Sequence, residues 1–456
     1  MTDRRTSDAN TPLACVVLAA GMGTRMVSRR PKVLHKVAGR PLIGWLMETL
    51  RTLSPDKIVV VAGPDSKEIE SATGPGVRIA VQTERKGTAD AVRAALPALK
   101  GFSGDVLIAC GDAPFVDART LRALADRRRE TGAGIAVAAV DDGDPSGYGR
   151  MVLDDAGFLD RIVEDKDCTP TQKKIRLWNA GLYAVDGARL EGWIARIGNA
   201  NAQGEFYLTD LPAIAAGDGA KTAVLTCRDA DEFAGVNTRE QLADVEKSMQ
   251  KKLRRAAMAA GATLIDPKTV YLSWDTTIGR DSVIGPHVVF GPGVHVGEGV
   301  EILPFSHIEG ARVEPGARIG PFARLRPGAH VGEGAHVGNF VEIKNATMGA
   351  GAKANHLAYI GDAQIGAKAN IGAGVITCNY DGFDKHKTLI GAGAFVGSDV
   401  TLVAPVAVGD GAYVGAGSTI TRDVPSDALV VARARPTVCE GWARTYREKK
   451  GKRKAS

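Results

Sequence analysis

The chain reads as two parts: an α/β half built on a mostly parallel sheet and, beyond a single joining helix, a parallel β-helix of hexapeptide units. Three features lead there. Between Leu13 and about Arg228, short apolar runs alternate with amphipathic stretches. From Thr238 to Gly261 one apolar stripe repeats at helical spacing, and from Ile278 onward the apolar period becomes six. A length of 456 residues also calls for at least two domains.

In the first part, Leu13–Ala20, Lys57–Gly63, Val77–Gln82, Asp105–Cys110 and Gly134–Val140 read as buried strands. Pro41–Arg51, Thr88–Leu99 and Asp117–Glu130 read as helices between them. Near-continuous apolar strands separated by helices imply a sheet covered on both faces, which binds ligands beyond the C-terminal ends of its strands. In the joining helix, Thr238 and Gln241 have capping-box spacing. Leu242, Val245, Met249 and Leu253 form its stripe, and Gly261 ends it. Such a helix suits a linker that packs along a neighbour.

The period of six runs through Ile278, Ile284, Phe290, Val296, Ile302 and Ile308. It resumes at Ile319, Leu325, Val331, Val337 and Ile343, and again at Ile390, Val396, Leu402, Val408, Val414 and Ile420. Small residues recur between them (Val283, Val300, Ala311, Ala317, Ala335). One apolar residue per six is the pattern of a parallel β-helix whose aliphatic side chains stack as an internal ladder. Two stretches break the period, Ala346–Tyr359 and Thr377–Leu389, and insertions in a solenoid mark its binding face.

Composition narrows the class. Hydrophobic residues make up 44%, enough for a core, and no run of about 18 apolar residues offers a membrane span. Leu13–Ala20 is too short for a signal peptide. Cys15, Cys110, Cys168, Cys227, Cys378 and Cys439 form no CxxC pair, which argues against disulfides or zinc and for a cytoplasmic protein. The net charge of +6 resides in the tail from Arg444 to Ser456, with seven bases and one acid; the rest is balanced, so a nucleic-acid-binding body is not indicated. The tail reads as a solvated, partly disordered end, with contact to an anion as the alternative.

The first strand runs into Leu18–Met26 and then Pro31 and Lys32. Backbone N–H groups at Gly21 and Gly23 can cradle phosphates, with Arg25 and Lys32 neutralising them. The loop is neither a Walker loop nor a dinucleotide fingerprint, since GK[ST] is missing and Met26 stands where a third glycine belongs. By themselves Asp112, at the end of a buried strand, reads as a helix cap and Asn237, before Thr238, as a plain helix start.

LAAGMGTRM with the following PK resembles the signature of sugar-1-phosphate nucleotidylyltransferases and implies their Rossmann-like domain, expected over residues 1–237. Gln82, Gly87 and Thr88 resemble the nucleobase segment, and Cys110-Gly111-Asp112 the strand end carrying the magnesium carboxylate, with a cysteine where an aromatic can stand. Tyr148-Gly149-Arg150, Glu164, Asn179 and Gly204–Asp210 resemble the sugar-binding series, and Gly235-Val236-Asn237 the second metal ligand. The resemblance implies a uridine-nucleotide site of Leu18, Ala19, Ala20, Gly21, Lys32, Gln82, Gly87, Thr88, Cys110, Gly111, Asp112, Gly149, Glu164, Asn179 and Asn237. Arg25 and Lys32 would be catalytic, and Asp112 and Asn237 would hold Mg²⁺.

Further motifs follow in order: Phe322–Gly328, Asn339–Lys344, His356–Tyr359, Asn370–Gly374 and Thr377–Gly382. With the N-terminal motifs they resemble the bifunctional N-acetylglucosamine-1-phosphate uridylyltransferase / glucosamine-1-phosphate N-acetyltransferase over roughly residues 13–442. That family implies a left-handed β-helix, here residues 263–456 after a linker at 238–262. It also implies acetyl transfer from acetyl-CoA to glucosamine-1-phosphate, then UMP transfer from UTP, supplying peptidoglycan and lipopolysaccharide synthesis. His356 would be the general base, suited because imidazole is neutral and basic near pH 7. Glu342 is the candidate to orient it. Arg326, Lys344, Tyr359 and Asn370 would hold the sugar phosphate; Ala373, Asn379, Tyr380, Ser398, Ala416 and Arg433 would line the acetyl-CoA groove. A homotrimer is implied, in which Trp442 either reaches an adjacent site or packs on its own chain. Two other readings stand beside this one: a monofunctional nucleotidylyltransferase with a structural β-helix, and a partner-docking scaffold with a degenerate first half.

Overall fold

The computed structural model describes residues 11–64, 67–201 and 203–454. The chain divides into two compact units, Met1–Met249 and Gln250–Ser456.

In the first unit the main elements are β1 (Leu13–Leu18), α1 (Leu42–Arg51), β2 (Lys57–Ala62), α2 (Lys67–Thr73), β3 (Arg78–Val81), α3 (Thr88–Leu99) and β4 (Asp105–Cys110). There follow α4 (Ala118–Glu130), β5 (Ile135–Val140), β6 (Arg150–Leu153), β7 (Leu159–Val163), β8 (Trp178–Asp186), α5 (Gly187–Arg196), α6 (Leu211–Gly217) and β9 (Thr222–Cys227). The sheet order is β9-β5-β8-β4-β1-β2-β3, with the β6–β7 hairpin attached to β8. Alternate residues of one strand enter opposite cores: Val106 and Ile108 pack with α3 and α5, Leu107 and Ala109 with α1 and α4. This is why the strands read as continuously apolar.

The sheet is less uniformly parallel than the sequence suggests. β8 runs antiparallel to both β4 and β5, and the β6–β7 hairpin adds two short strands. β8 opens with polar and glycine residues at Asn179 and Gly181, which hid it from a search for apolar runs. Asp112 caps no helix: Asp117 does so for α4, accepting from the Arg119 N–H at 2.7 Å.

The joining helix, α7 (Arg239–Ala259), begins with the expected capping box. Gln241 N–H donates to Thr238 Oγ1 and Thr238 N–H to Gln241 Oε1, both at 3.2 Å. Val245 and Met249 are buried, and in the second unit Leu253 packs on the β-helix core.

The second unit is a left-handed parallel β-helix of hexapeptides, whose described strands form three parallel sheets of ten, eight and eight. The aliphatic ladder is buried from Ile284 to Ile420, and a small residue stands two positions before each rung: Ala317 before Ile319, Ala335 before Val337. Val283 is an exception to the small-residue reading. It is half-buried, and Ser282, fully buried, takes the inward place before Ile284.

Ala346–Tyr359 is not an interruption. The ladder continues through Met348, Ala354, Ile360, Ile365 and Ile371, all buried. Five-residue steps at Ile308 to Val313, Ile343 to Met348 and Ile360 to Ile365 shift the phase and hid it from a strict period of six. Of Thr377–Leu389 only residues 379–387 leave the prism as a loop, since Ile376–Cys378 and Thr388–Ile390 are paired strands on either side. Asp381 accepts from Phe383 N–H, Asp384 N–H and His386 Nε2 at 2.7–2.8 Å, and Phe383 at the tip is 92% exposed.

The tail is helical where disorder was expected: α8 (Trp442–Lys454) is exposed through Lys450, while residues 455 and 456 lie outside the described part. No helix among the described residues is long and apolar enough to cross a membrane.

Candidate active sites

At the C-terminal ends of β1 and β4 lies a cavity of about 680 Å³. It is lined by Leu18, Ala19, Ala20, Gly21, Arg25, Lys32, Gln82, Gly87, Thr88, Cys110, Asp112 and Asn237. Sequence reasoning named all twelve. It missed Val33, Arg85 and Ala91, which also line the cavity and stand outside the quoted site motifs, while Glu205 belongs to the quoted Gly204–Asp210.

The glycine loop tightens into a single 3-10 turn, Thr24–Met26, entered through left-handed Gly23. A Cβ at Gly23 would lie 2.7 Å from the Lys32 Cβ, so glycine is what lets this lysine pass beneath the loop. Lys32 Nζ donates to Asn237 Oδ1 at 2.9 Å and to Asp112 Oδ2. Two oxygens from distant parts of the chain thus converge on one cation, a donor set that fits a hard divalent ion. Arg25 is exposed and has no side-chain partner among the described residues.

Gln82 is buried, its amide nitrogen donating to Gly87 O at 3.1 Å and Asp90 Oδ2 at 2.7 Å. Gly87 has φ +117 and its absent Cβ would strike Phe206 O at 2.5 Å. Phe206 N–H donates to Lys86 O, and Ala89 N–H to Phe206 O, so the nucleobase segment and Gly204–Asp210 are joined like strands. Gly111, Gly149, Glu164 and Asn179, also predicted, are not among the residues that line the cavity. Asn179 N–H donates to Gly149 O, Asn179 Nδ2 to the Tyr183 hydroxyl at 2.9 Å, and Thr209 Oγ1 to Glu164 at 3.0 Å. Burial, reinforced by Asp167, Asp210 and Asp165, raises the Glu164 carboxyl above the ordinary range. Burial, with the Asp112 charge beside it, pushes the Cys110 thiol up to about 12.

On the β-helix, strands Arg324–Leu325, Glu342–Lys344 and Tyr359–Gly361 stack in one sheet. Arg326 donates to Glu342 at 2.8 Å. Lys344 approaches Asp362 at 3.4 Å. Asp362 is opposed by burial but held below the usual range by Asn345, Asn379 and Lys344. It was missed from sequence, although a charge next to the inward Ala363 is a signal. The extruded loop also brings Lys385 against Lys344, whose hydrogen bond and charge depress the Lys385 ammonium.

His356 ends a strand of the neighbouring sheet. Its Nδ1 donates to Asn339 Oδ1 at 2.6 Å, one coil below. The expectation that Glu342 orients it is corrected: Glu342 is committed to Arg326, and Asn339 holds the imidazole. Asn370 lies on the His356 sheet, in register with Lys353, rather than among Arg326, Lys344 and Tyr359. Beyond His356 the corner climbs coil by coil: Gly374 N–H to Leu357 O, Asp399 N–H to Ala373 O, Gly417 N–H to Ser398 O. Arg433 Nη1 closes the column on Ala416 O at 2.5 Å. Ala373, Ser398, Ala416 and Arg433 therefore form one column, with Asn379 buried on Asp362 and Tyr380 exposed at the loop base.

Residues 15–175 match a MobA-like NTP transferase domain, and residues 275–310, 310–345 and 387–422 match the bacterial transferase hexapeptide of six repeats. The chain is 54% identical to the bifunctional protein GlmU of Paramagnetospirillum magneticum, over 98% of this chain and 99% of the relative. Identity is 53% with that of Xanthobacter autotrophicus (97% and 99% covered) and 47% with that of Zymomonas mobilis (98% and 100% covered). The chain belongs to the GlmU family. A GlmU chain is bifunctional, with uridylyltransferase and acetyltransferase halves, so neither the monofunctional reading nor the docking scaffold stands.

Proposed function

We propose that residues 1–237 transfer UMP from UTP to N-acetylglucosamine-1-phosphate and that residues 263–456 acetylate glucosamine-1-phosphate from acetyl-CoA, in the cytoplasm and as a homotrimer. The observation that carries the acetyltransferase assignment is the His356–Asn339 pair at the foot of the corner column. With Nδ1 donating to Asn339, Nε2 is the nitrogen left to take a proton. It removes one from the sugar ammonium, the amine attacks the thioester carbonyl, and the C–S bond breaks to release CoA. Arg326 and Lys344, with Lys385, supply the charge that holds the sugar phosphate. Tyr359 flanks it, with Asn370 on the His356 side. Ser398 would donate to the oxyanion, and the pantetheine would run along Ala373, Ala416 and Arg433 with Asn379 and Tyr380 at its edge.

In the first half, Asp112 and Asn237 would hold Mg²⁺ where their oxygens now meet Lys32. Bound there, the ion would neutralise the triphosphate and polarise its α-phosphate. Lys32 then turns to the phosphates, Arg25 neutralises the leaving pyrophosphate, and backbone N–H groups of Gly21 and Gly23 receive non-bridging oxygens. A sugar-phosphate oxygen attacks the α-phosphorus as its bond to the β-phosphate oxygen breaks. Glu164 and Asn179 support the sugar side.

The test is CoA release from acetyl-CoA with glucosamine-1-phosphate present and UTP absent. Wild type releases CoA; His356→Ala loses this and still forms pyrophosphate from UTP and N-acetylglucosamine-1-phosphate. Unchanged acetylation in His356→Ala would overturn its assignment. A mass in solution three times that of the chain checks the trimer, which the exposed Phe395, Tyr413, Val403 and Leu389 favour.

A further inference from the structure

The segment from Met26 to His35 joins the two turns that carry the cations of the first site, Arg25 on Thr24–Met26 and Lys32 on Lys32–Leu34. Met26, Val33 and Leu34 anchor its ends in the core, but Val27, Arg29 and Arg30 between them are exposed. Each turn is only one turn long, and Val27 follows the first at φ 48 while 88% exposed. A β-branched residue in the left-handed region is strained, so the surroundings must impose that geometry.

One side chain from the start of α7 meets both ends of the segment. Arg239 Nε donates to Met26 O at 3.1 Å, and Arg239 Nη1 to His35 Nδ1 at 3.3 Å. His35 is 6% exposed, next to Leu34, and its N–H closes the turn on Lys32 O. Arg239 stands two residues beyond Asn237, whose N–H donates to Gln241 Oε1 at 2.7 Å. The same helical start therefore fixes Asn237 and the loop that brings Lys32 to it.

We propose that Arg239 is a positioning residue for uridylyl transfer, one guanidinium stapling both cation-bearing turns in register with Asn237. It touches no reacting atom. Its effect falls on kcat, because Arg25 and Lys32 act on charge that develops in the transition state and a 1 Å misplacement there costs about 100-fold. The proposal rests on the uridylyltransferase reading above.

The experiment measures kcat and KM for UTP in the full-length protein, with acetylation on the same preparation as the control for folding. Arg239→Gln should lower uridylyl kcat by about 100-fold, with KM for UTP within about threefold and acetylation unchanged. Arg239→Lys should stay low, because a single ammonium cannot span Met26 O and His35 Nδ1 together. His35→Asn, which offers an acceptor near the Nδ1 position, should stay near wild type, and His35→Leu should lose about tenfold. Wild-type kcat in Arg239→Gln, full recovery in Arg239→Lys, a loss confined to KM, or a parallel loss of acetylation would each overturn the proposal. Absence of uridylyl transfer in the wild type would instead sink the underlying reading.

Discussion

Cys110 and Glu164 illustrate how environment sets the chemistry of single residues in the first site. Cys110 lines the proposed nucleotide cavity, yet burial and the Asp112 charge push its thiol up to about 12, so it stays protonated and unreactive. Iodoacetamide at neutral pH should leave Cys110 unlabelled while modifying the exposed Cys439, as peptide mass spectrometry would report. Glu164 is raised chiefly by burial. Its ionised form is disfavoured in the folded state, so stability is intact below the unfolded carboxylate range and falls as pH rises through the raised one. Glu164→Gln keeps an acceptor for Thr209 and removes the titration. Its melting temperature should exceed that of wild type near pH 7, and the gap should close toward about pH 4.

Among elements, the ladder and the coil length matter most. Ile343 is fully buried between Leu325 and Ile360, in register on both sides. Ile343→Ala should cost about 2–5 kcal/mol by denaturant unfolding of the β-helix, because a rung flanked by two coils cannot collapse onto the cavity. Uridylyl transfer should be spared. Asn339 and His356 each stand two places past a stacked rung, Val337 and Ala354, so position along the coil makes them partners. The five-residue step in between only shortens their separation to 17 residues, which hides the pairing from a search at eighteen.

At the scale of the whole molecule, the two proposed sites lie in separate compact units and share no residue. A Lys32→Ala protein mixed with a His356→Ala protein should therefore make UDP-N-acetylglucosamine from glucosamine-1-phosphate, acetyl-CoA and UTP, although neither does so alone. A mixture that accumulates N-acetylglucosamine-1-phosphate without converting it would instead mean that the intermediate must pass within one assembly.

Local pattern was enough for β1 to β5 of the first half, the capping box at Thr238 and Gln241, the glycine loop and the hexapeptide ladder. Each depends on spacing within a few residues, where periodicity and turn chemistry act directly. Three things needed the tertiary structure. Antiparallel β8 owes its place to β4 and β5 rather than to its own apolarity. Lys32 finds Asp112 and Asn237 across 80 and 205 residues. Asn339, Asp362 and Lys385 became visible only once the coils were stacked, because a side chain on a solenoid meets residues one coil away and coil length is not constant. Sequence by itself determined the two folds and nearly all of the groups at the sites. Only packing decided which group holds which, since that depends on the direction of each side chain across a stacked neighbour.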